Sequence, residues 1–398
     1  MRAAEMSRGR IDAEVVIPLK WPAGDAQSYR VEEMAWYLRG LGQTVTSITV
    51  VDGSDAEAFD VHHRAWACYA RVIRPDPGVR TNISSRDRSG GTTGGADSAE
   101  PLNGKVIGAL TGIREARHEH VVLADDDVRH TRDTITRVVS ALGEADLVRP
   151  VNVYDAWPWQ ARWDGARSLV NHAVATDWPG TFGLRRSMLL THGGWCPDVL
   201  FENLELWRTV QAGGGRVLAQ PQIKVPRRPP TVSQFWSQRV RQAYDDFAQP
   251  GRLAVELAIL PTALGVARTR PLALAALAAG SVALAQRGRS RLGNDRVPPS
   301  VPLWAPLWLL ERGVCVWIAV ASRLRGGARY HGRRLRRAAH TARQLERALA
   351  GPPRDEPHAA AQPRGTGPSN ATPLPAEGRL APVQATRSDA PARGWVRA

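Results

Sequence analysis

Val121-Val122-Leu123-Ala124-Asp125-Asp126-Asp127 is an apolar run that ends in three consecutive carboxylates, and a helix-like segment follows it. Adjacent carboxylates repel one another unless a cation or basic groups neutralise them. Open α/β sheets place their ligands at the carboxyl ends of their strands. Mg²⁺ and Mn²⁺ take oxygen ligands, often carboxylates together with substrate phosphates. The stretch therefore indicates either a cation site at a strand end or an acidic helix N-terminus stabilised by the helix dipole.

Short β-branched runs alternate with helical patterns on both sides of this stretch, from residue 14 to about residue 150. Such alternation predicts βαβ units and an α/β fold with a Rossmann-like, mostly parallel sheet. The predicted strands are Glu14–Ile17, Ser47–Asp52, Arg71–Ile73, His120–Ala124 and Asp146–Arg149. The predicted helices are Ala26–Gly40, Glu57–Ala70, Gly104–Arg117 and Thr131–Leu142. From residue 152 to residue 207 the pattern becomes rich in tryptophan, which core packing explains for the most part.

Composition divides the 398 residues into four regions, one of which contains an insertion. Residues 1–13 form an N-terminal extension, and residues 14–250 form the α/β domain. Within that domain residues 81–100 are rich in Ser, Gly, Thr and Asp and are expected to be a flexible insertion. Residues 251–350 contain apolar helices with basic flanks. Residues 351–398 have few aliphatic side chains, so we expect a disordered tail.

The net charge is +15, and the basic residues are almost all arginine. The basic runs lie beside the apolar segments of the second half, and the chain has no recognised nucleic-acid motif, so nucleic acid is not an expected partner. The three cysteines, Cys68, Cys196 and Cys315, have no metal-ligand spacing, which favours a reduced, cytosol-facing compartment. We expect no signal peptide, because no apolar core follows the N-terminus.

Three apolar stretches follow the α/β domain, at Leu253–Ala267, Pro271–Ala285 and Val301–Ala321. Charges or proline interrupt two of them, at Glu256, Pro261, Glu311 and Arg312. A membrane span needs about 20 apolar residues, and charges within one are rare. Buried helices of a soluble domain are thus one interpretation. Interfacial tryptophans and flanking arginines favour the other, a location at the cell membrane with the α/β domain facing the cytoplasm.

Four further motifs accompany the carboxylate triplet. Val50–Ser54 ends the second strand and carries Asp52, and Asn103-Gly104-Lys105 opens the helix before the triplet. Lysine and a helix N-terminus both attract phosphate. Phe201–Trp207 carries Glu202 and Glu205, and Gln238–Gln242 carries Arg239 and Arg241, whose guanidinium groups suit a pyrophosphate. Taken singly, each motif also fits a plain turn or a solvated charged stretch.

In order, the segments VVDGS, NGK, DDD, PGT, ENLEL and QRVRQ, followed by apolar helices, resemble the membrane-associated glycosyltransferases of family 2, which have the GT-A fold. The pattern is similar to a D, D, D, (Q/R)xxRW signature, as in ceramide glucosyltransferases and hopanoid-type relatives. The resemblance covers roughly residues 15–248. It implies an inverting transfer of a sugar from a nucleoside-diphosphate sugar to a hydroxyl of a lipid or membrane-linked glycan. The donor expected before others is a UDP-sugar. It also implies Mg²⁺ or Mn²⁺ as cofactor.

The resemblance assigns roles residue by residue. Asp52 would contact the nucleobase, Asp127 would bind the metal, and Asp125 would lie near the ribose and assist at the metal. Lys105 would lie near the diphosphate. The remaining donor-binding residues would be Gln238, Arg239 and Arg241, and the acceptor region would contain Gly180, Thr181 and Asn203.

Two departures from the family pattern concern the acceptor. Glu202-Asn203 stands where the family has Glu-Asp, so Glu202, or Glu205 one turn later, would be the general base. Gln242 stands where the family has tryptophan. Two other functions remain open. One is a nucleotidyltransferase, although the segment after the first strand is poor in glycine, and the other is a catalytically degenerate basic membrane-binding protein, which Asn203 favours.

Overall fold

A computed structural model describes residues 9–21, 28–79, 81, 83, 102–175, 177–293, 295–330 and 333–350. The predicted insertion, apart from residues 81 and 83, and the predicted tail after residue 350 lie outside the described residues.

Seven strands form one mixed sheet, and most of their pairings are parallel. They are β1 (Ile11–Leu19), β2 (Val45–Asp52), β3 (Arg71–Ile73), β4 (His120–Ala124), β5 (Leu147–Tyr154), β6 (Thr181–Arg185) and β7 (Val217–Arg227). Their order is β3-β2-β1-β4-β6-β5-β7. Only β6 runs antiparallel to its neighbours, β4 and β5, within this sheet. The predicted α/β class with a mostly parallel sheet is confirmed, while β6 and β7 are strands that the sequence patterns do not predict.

Helices cover both faces of the sheet and continue beyond it. In the α/β part they are α1 (Ser28–Gly42), α2 (Ala56–Trp66), α3 (Gly104–Glu115), α4 (Arg132–Ala141), α5 (Trp159–Val174), α6 (Arg186–Thr191), α7 (Glu202–Ala212) and α8 (Val232–Tyr244). Further along the chain are α9 (Pro250–Thr269), α10 (Pro271–Leu292), α11 (Ala305–Leu324) and α12 (Ala342–Ala350). A two-stranded sheet, β8 (Ala328–Tyr330) and β9 (Arg333–Leu335), lies between α11 and α12.

Side-chain caps and close packing fix the helices that carry the site. Asn103 caps α3 by accepting a hydrogen bond from the Lys105 amide. Thr231 begins α8 with a capping box. A β-carbon on Gly112 of α3 would lie 2.4 Å from Val16 Cγ1 of β1, so glycine is needed for this close approach. As a result the N-terminus of α3 is held at the carboxyl edge of the sheet.

Two helical segments are long and apolar enough to cross a membrane by length and composition, Pro250–Thr269 and Val301–Leu324. Their internal charges face the α/β part. Arg312 of α11 is 1% exposed and pairs with Asp246 at 3.0 Å and with Glu256 of α9 at 3.7 Å. The second predicted apolar stretch, Pro271–Ala285, belongs to α10, where a β-carbon on Gly288 would lie 1.8 Å from the Leu169 carbonyl oxygen of α5. All three helices therefore pack against the α/β part.

The chain returns to the α/β part after α11. The amides of Leu200 and Phe201 donate to the carbonyls of Arg337 and Ala338 at 3.0 and 2.8 Å, and Val199 forms a parallel bridge with Arg337. The turn that begins α7 is thus held by residues that follow it by more than a hundred positions.

Candidate active site at the carboxyl edge of the sheet

The carboxylate triplet lies where three strands meet. Ala124 ends β4 and pairs with Thr181, which begins the antiparallel strand β6. A β-carbon on Gly180 would lie 1.7 Å from Asp125 Oδ2, so Asp125 occupies the space that glycine leaves. On the far side, the amide of Arg228 donates to the Asp127 carbonyl at 2.8 Å, which brings the end of β7 to the triplet.

Lys105 joins the triplet to α7. Its Nζ lies 2.6 Å from Asp125 Oδ1 and 2.9 Å from Glu202 Oε1. This contact follows from the α3 cap, because Asn103 also donates through Nδ2 to the Val199 carbonyl just before α7. Burial opposes the charge of Lys105, yet the two carboxylates raise its pKa above the usual range. Burial likewise opposes the ionisation of Glu202, but Lys105 and Arg241 hold the pKa of Glu202 below its usual value.

Asp127 pairs with an arginine that the sequence patterns do not single out. Its Oδ2 accepts a hydrogen bond from Arg227 Nε at 2.8 Å. Its Oδ1 is buried and has no hydrogen-bond partner among the described residues. An unpartnered carboxylate oxygen beside the Asp125 carboxylate is a suitable ligand for a hard divalent cation. The residues present therefore fit a Mg²⁺ or Mn²⁺ ion held by Asp127 and Asp125.

The pKa values of Asp125 and Asp126 are raised within the triplet. Burial, followed by the Asp127 charge, raises the pKa of Asp126. Burial also raises the pKa of Asp125, and the Asp127 charge adds to this against the lowering effect of Lys105. Asp126 accepts a hydrogen bond from Trp21 Nε1 at 2.5 Å, which links the triplet to the end of β1. A bound cation would relieve this repulsion.

A cavity opens in front of Lys105, Asp125 and Glu202. Seven of the predicted site residues line it: Lys105, Asp125, Gly180, Glu202, Asn203, Gln238 and Arg241. Further residues of its wall that the sequence patterns do not assign to the site are Arg167, Asp177, Trp178, Arg227, Asp245, Asp246, Arg252 and Arg312. Most of the basic groups are in ion pairs with neighbouring carboxylates. Arg241 forms no ion pair among the described residues and is therefore available to a ligand.

The role given to Arg239 is wrong for this structure. Adjacent positions on a helix point about 100° apart, so α8 turns Arg239 away from the cavity that Gln238 and Arg241 line. Arg239 is 2% exposed. Its Nη2 donates to Asp164 Oδ1 at 2.8 Å, and its Nε donates to the Phe235 carbonyl. It joins α8 to α5 and does not reach a ligand in the cavity.

The predicted contact of Asp52 with the nucleobase is also not what this structure shows. Its side chain is fully buried, with Oδ2 2.7 Å from His62 Nδ1 and Oδ1 accepting from the Ser54 amide at 2.8 Å. Burial opposes its ionisation, but these hydrogen bonds lower the pKa of Asp52. Because both carboxylate oxygens are engaged, Asp52 fixes the turn after β2 and presents no oxygen to a nucleobase.

Two other predicted residues lie behind the cavity wall. Glu205 is fully buried and accepts hydrogen bonds from the amide and the Nδ1 of His340, at 2.8 and 2.7 Å. It holds the returning segment on α7, so its predicted role as the second candidate base is wrong. Thr181 is fully buried within β6 and does not line the cavity, although Gly180 beside it does.

A second group of potential metal ligands lies near Glu205. Atoms of Cys196, Asp198 and His340 come within 4.8 Å of one another. The Arg337 guanidinium contacts both Asp198, at 3.0 Å, and His340 Nε2, at 2.6 Å. Arg337 therefore already supplies a positive charge to this group of side chains, in the place where a metal ion would supply one.

No family model matches the chain, and no curated protein matches its sequence. Among solved structures, a mannosyltransferase from Pyrobaculum calidifontis in complex with GDP-Man and Mn²⁺ is similar, with 18% identity and a TM-score of 0.47, over 77% of this chain and 87% of that one. Glucosyl-3-phosphoglycerate synthase from Mycobacterium tuberculosis, in complex with Mn²⁺ and UDP, matches with 15% identity and a TM-score of 0.34. The match covers 61% of this chain and 80% of the synthase. Mannosyl-3-phosphoglycerate synthase from Rubrobacter xylanophilus matches with 14% identity and a TM-score of 0.35, over 61% and 76%.

Proposed function

We propose that the protein is an inverting GT-A glycosyltransferase. It moves a sugar from a nucleoside-diphosphate sugar to a hydroxyl acceptor that is a lipid or a membrane-linked glycan. The observation that carries this proposal is the meeting of Asp125 with Lys105, Arg227 and Arg241 in the wall of a single cavity, with Asp127 paired to Arg227 beside it. Carboxylates able to hold a divalent cation, beside cationic side chains, suit the binding of a diphosphate.

The groups of the cavity divide into those that hold the donor and those that act on it. Asp127 and Asp125 would hold Mg²⁺ or Mn²⁺, which, when bound, neutralises charge on the leaving diphosphate. Lys105 and Arg241 face the same space and stabilise the negative charge that develops on the leaving group. Gln238 supplies a neutral hydrogen-bonding group beside Arg241. Gly180 and Asn203 line the cavity where the acceptor would approach.

The outer face of α11 supports a position at the membrane surface. Large apolar side chains are exposed along it at helical spacing, namely Leu307, Leu310, Val314, Trp317 and Leu324. Its inner face carries the buried Arg312. A helix that is anchored to a domain on one side and apolar on the other lies in the membrane interface more readily than across it. We infer that α11 rests on the cytoplasmic leaflet, close to a lipid acceptor.

A donor screen tests this function. Membranes that contain the full chain are incubated with UDP-, GDP- and other nucleoside-diphosphate sugars, with Mn²⁺, with Mg²⁺ or with neither. We expect release of a nucleoside diphosphate that depends on the metal, and transfer of labelled sugar into a lipid extract. Release of pyrophosphate would indicate a nucleotidyltransferase instead, and no release with any donor would refute the proposal. Flotation of the purified chain with liposomes tests the membrane surface separately.

A further inference from the structure

Asp245 is a carboxylate of the cavity wall that the proposed function does not use. It follows α8 directly and lies one helical turn after Arg241, so the two side chains face the same cavity. Its Oδ1 is buried and has no hydrogen-bond partner among the described residues. Buried polar atoms are usually paired, so an unpaired one in a cavity wall points to a ligand that supplies the partner.

Glu202, the carboxylate expected from the sequence to be the base, is engaged differently. Its Oε1 is held by Lys105 at 2.9 Å. Lys105 and Arg241 outweigh the effect of burial and lower the pKa of Glu202. A carboxylate that is stabilised in its ionised form is a weak proton acceptor. Asn203, which stands at the family's acidic position, has a side-chain amide and cannot take the proton.

We propose that Asp245 is the general base that accepts the proton of the acceptor hydroxyl. This inference rests on the proposed function. The acceptor oxygen forms a bond to the anomeric carbon, and the bond from that carbon to the β-phosphate oxygen breaks. The bonding electron pair leaves with the nucleoside diphosphate, the acceptor proton passes to an Asp245 carboxylate oxygen, and Asp245 later releases it to solvent. Glu202 is then a positioning residue that keeps Lys105 beside Asp125.

The surroundings of Asp245 support this role. Burial raises the pKa of Asp245 to about 7. The charges that face it come from four elements: Arg241 on α8, Glu202 on α7, Arg312 on α11 and Arg167 on α5, and Glu202 alone among them raises the pKa further. A base with a pKa near the working pH is both ionised in part and strong enough to accept a proton.

The test compares Asp245→Asn, Asp245→Glu, Glu202→Gln and Asp133→Asn in the full chain. Asp133 is an exposed carboxylate on α4, remote from the cavity, and serves as the charge-matched control. Initial rates of nucleoside diphosphate release are measured from pH 5 to pH 9 with the donor found in the screen, and donor affinity is measured separately. We expect Asp245→Asn to lower kcat by roughly 10²- to 10⁴-fold, to abolish the rise in rate near pH 7, and to leave donor affinity unchanged.

The other variants separate a catalytic role from a structural one. Asp245→Glu keeps a carboxylate, so we expect partial activity and a rise in rate with pH. This variant still tests the role of the carboxylate if Asp245→Asn folds poorly. Glu202→Gln should retain the rise near pH 7. A wild-type pH profile in Asp245→Asn, or a loss of donor affinity equal to its loss of rate, would overturn the role of Asp245. Absence of transfer by the wild-type chain would instead refute the proposed function.

Discussion

Asp125 lies in the space that a side chain at residue 180 would need: its Oδ2 is 1.7 Å from the position of a β-carbon on Gly180. The start of β6 and the end of β4 are paired residue for residue at this point. Neither backbone can therefore withdraw without breaking the sheet. The carboxylate that is expected to bind both metal and donor is thus positioned by the absence of one methyl group.

Replacing Gly180 by alanine is expected to displace Asp125 and to lower kcat/KM by about 10²-fold, because small misplacements of site groups have such effects. Gly40→Ala is the matched control, since a β-carbon at Gly40 of α1 would have no atom within 4 Å. Rates and thermal midpoints are measured for both variants. Full activity in Gly180→Ala would contradict the placement of Asp125.

Removing the divalent cation and removing its proposed ligand are expected to have the same effect. Chelation should abolish transfer, and Mn²⁺ or Mg²⁺ should restore it in the wild-type chain. Asp127→Ala should remain inactive at any metal concentration while its far-UV circular dichroism stays unchanged. Near-wild-type turnover by Asp127→Ala would exclude Asp127 as a metal ligand.

Lys105→Met leaves Asp125 and Glu202 without the ammonium group that lies 2.6 and 2.9 Å from them. We expect weaker donor binding and a higher pKa for Glu202, because the cation that lowers this pKa is gone. Lys105→Arg keeps the charge and should bind donor more tightly than Lys105→Met. Donor titration by calorimetry measures the difference, and equal affinities would show that Lys105 does not contact the donor.

Asp52→Asn is expected to affect stability instead of donor binding. The hydrogen bonds from His62 and Ser54 lower the pKa of Asp52, so the ionised carboxylate stabilises the folded state above its unfolded-state value of 3.8. This contribution is complete at neutral pH and is lost as the pH falls below that value. Denaturation at pH 7 should show a loss of about 1–3 kcal/mol in the variant. The difference between the two chains should shrink near pH 3, whereas an unchanged stability at pH 7 would refute the structural role.

Arg312→Met removes the guanidinium group that lies between Asp246 and Glu256. Breaking a buried ion pair by removing one partner costs about 3–5 kcal/mol. The variant should therefore release α9 and α11 from the α/β part and become sensitive to protease between residues 250 and 324. A triple variant with Asp246→Asn and Glu256→Gln added removes the two buried carboxylates that Arg312 neutralises, and it leaves only the partly exposed Arg252 without these partners. It should therefore recover most of the resistance. Equal protease sensitivity of the single variant and the wild-type chain would argue against this contact.

The sequence predicts the first half of the sheet well and the second half poorly. Aliphatic runs such as Val121–Ala124 are long enough to identify β1, β2 and β4. β6 is short and contains Gly183, and β7 contains Pro221 and Pro226, which sequence patterns take as signs of a loop. Proline is tolerated in β7 because this strand is at the edge of the sheet.

The site residues likewise fall into those that the sequence predicts and those that it does not. The motifs identify Asp125, Asp127 and Lys105, because each follows a recognisable strand or opens a recognisable helix. They do not identify Arg227, since its place depends on β7. They also do not distinguish Arg239 from Arg241, because adjacent helix positions differ only in which of them faces the core. Such choices depend on tertiary packing, which no local pattern encodes.

The hydrogen bonds from Leu200 and Phe201 to the segment at Arg337 and Ala338 have a consequence for biosynthesis. A nascent chain that has emerged as far as residue 250 already contains every strand of the main sheet. The turn before Glu202, however, gains its last partners only when residue 338 has left the ribosome. Sheet formation can therefore precede completion of the cavity by nearly ninety residues of synthesis, and the enzyme becomes competent only after the apolar helices α9, α10 and α11 have been made.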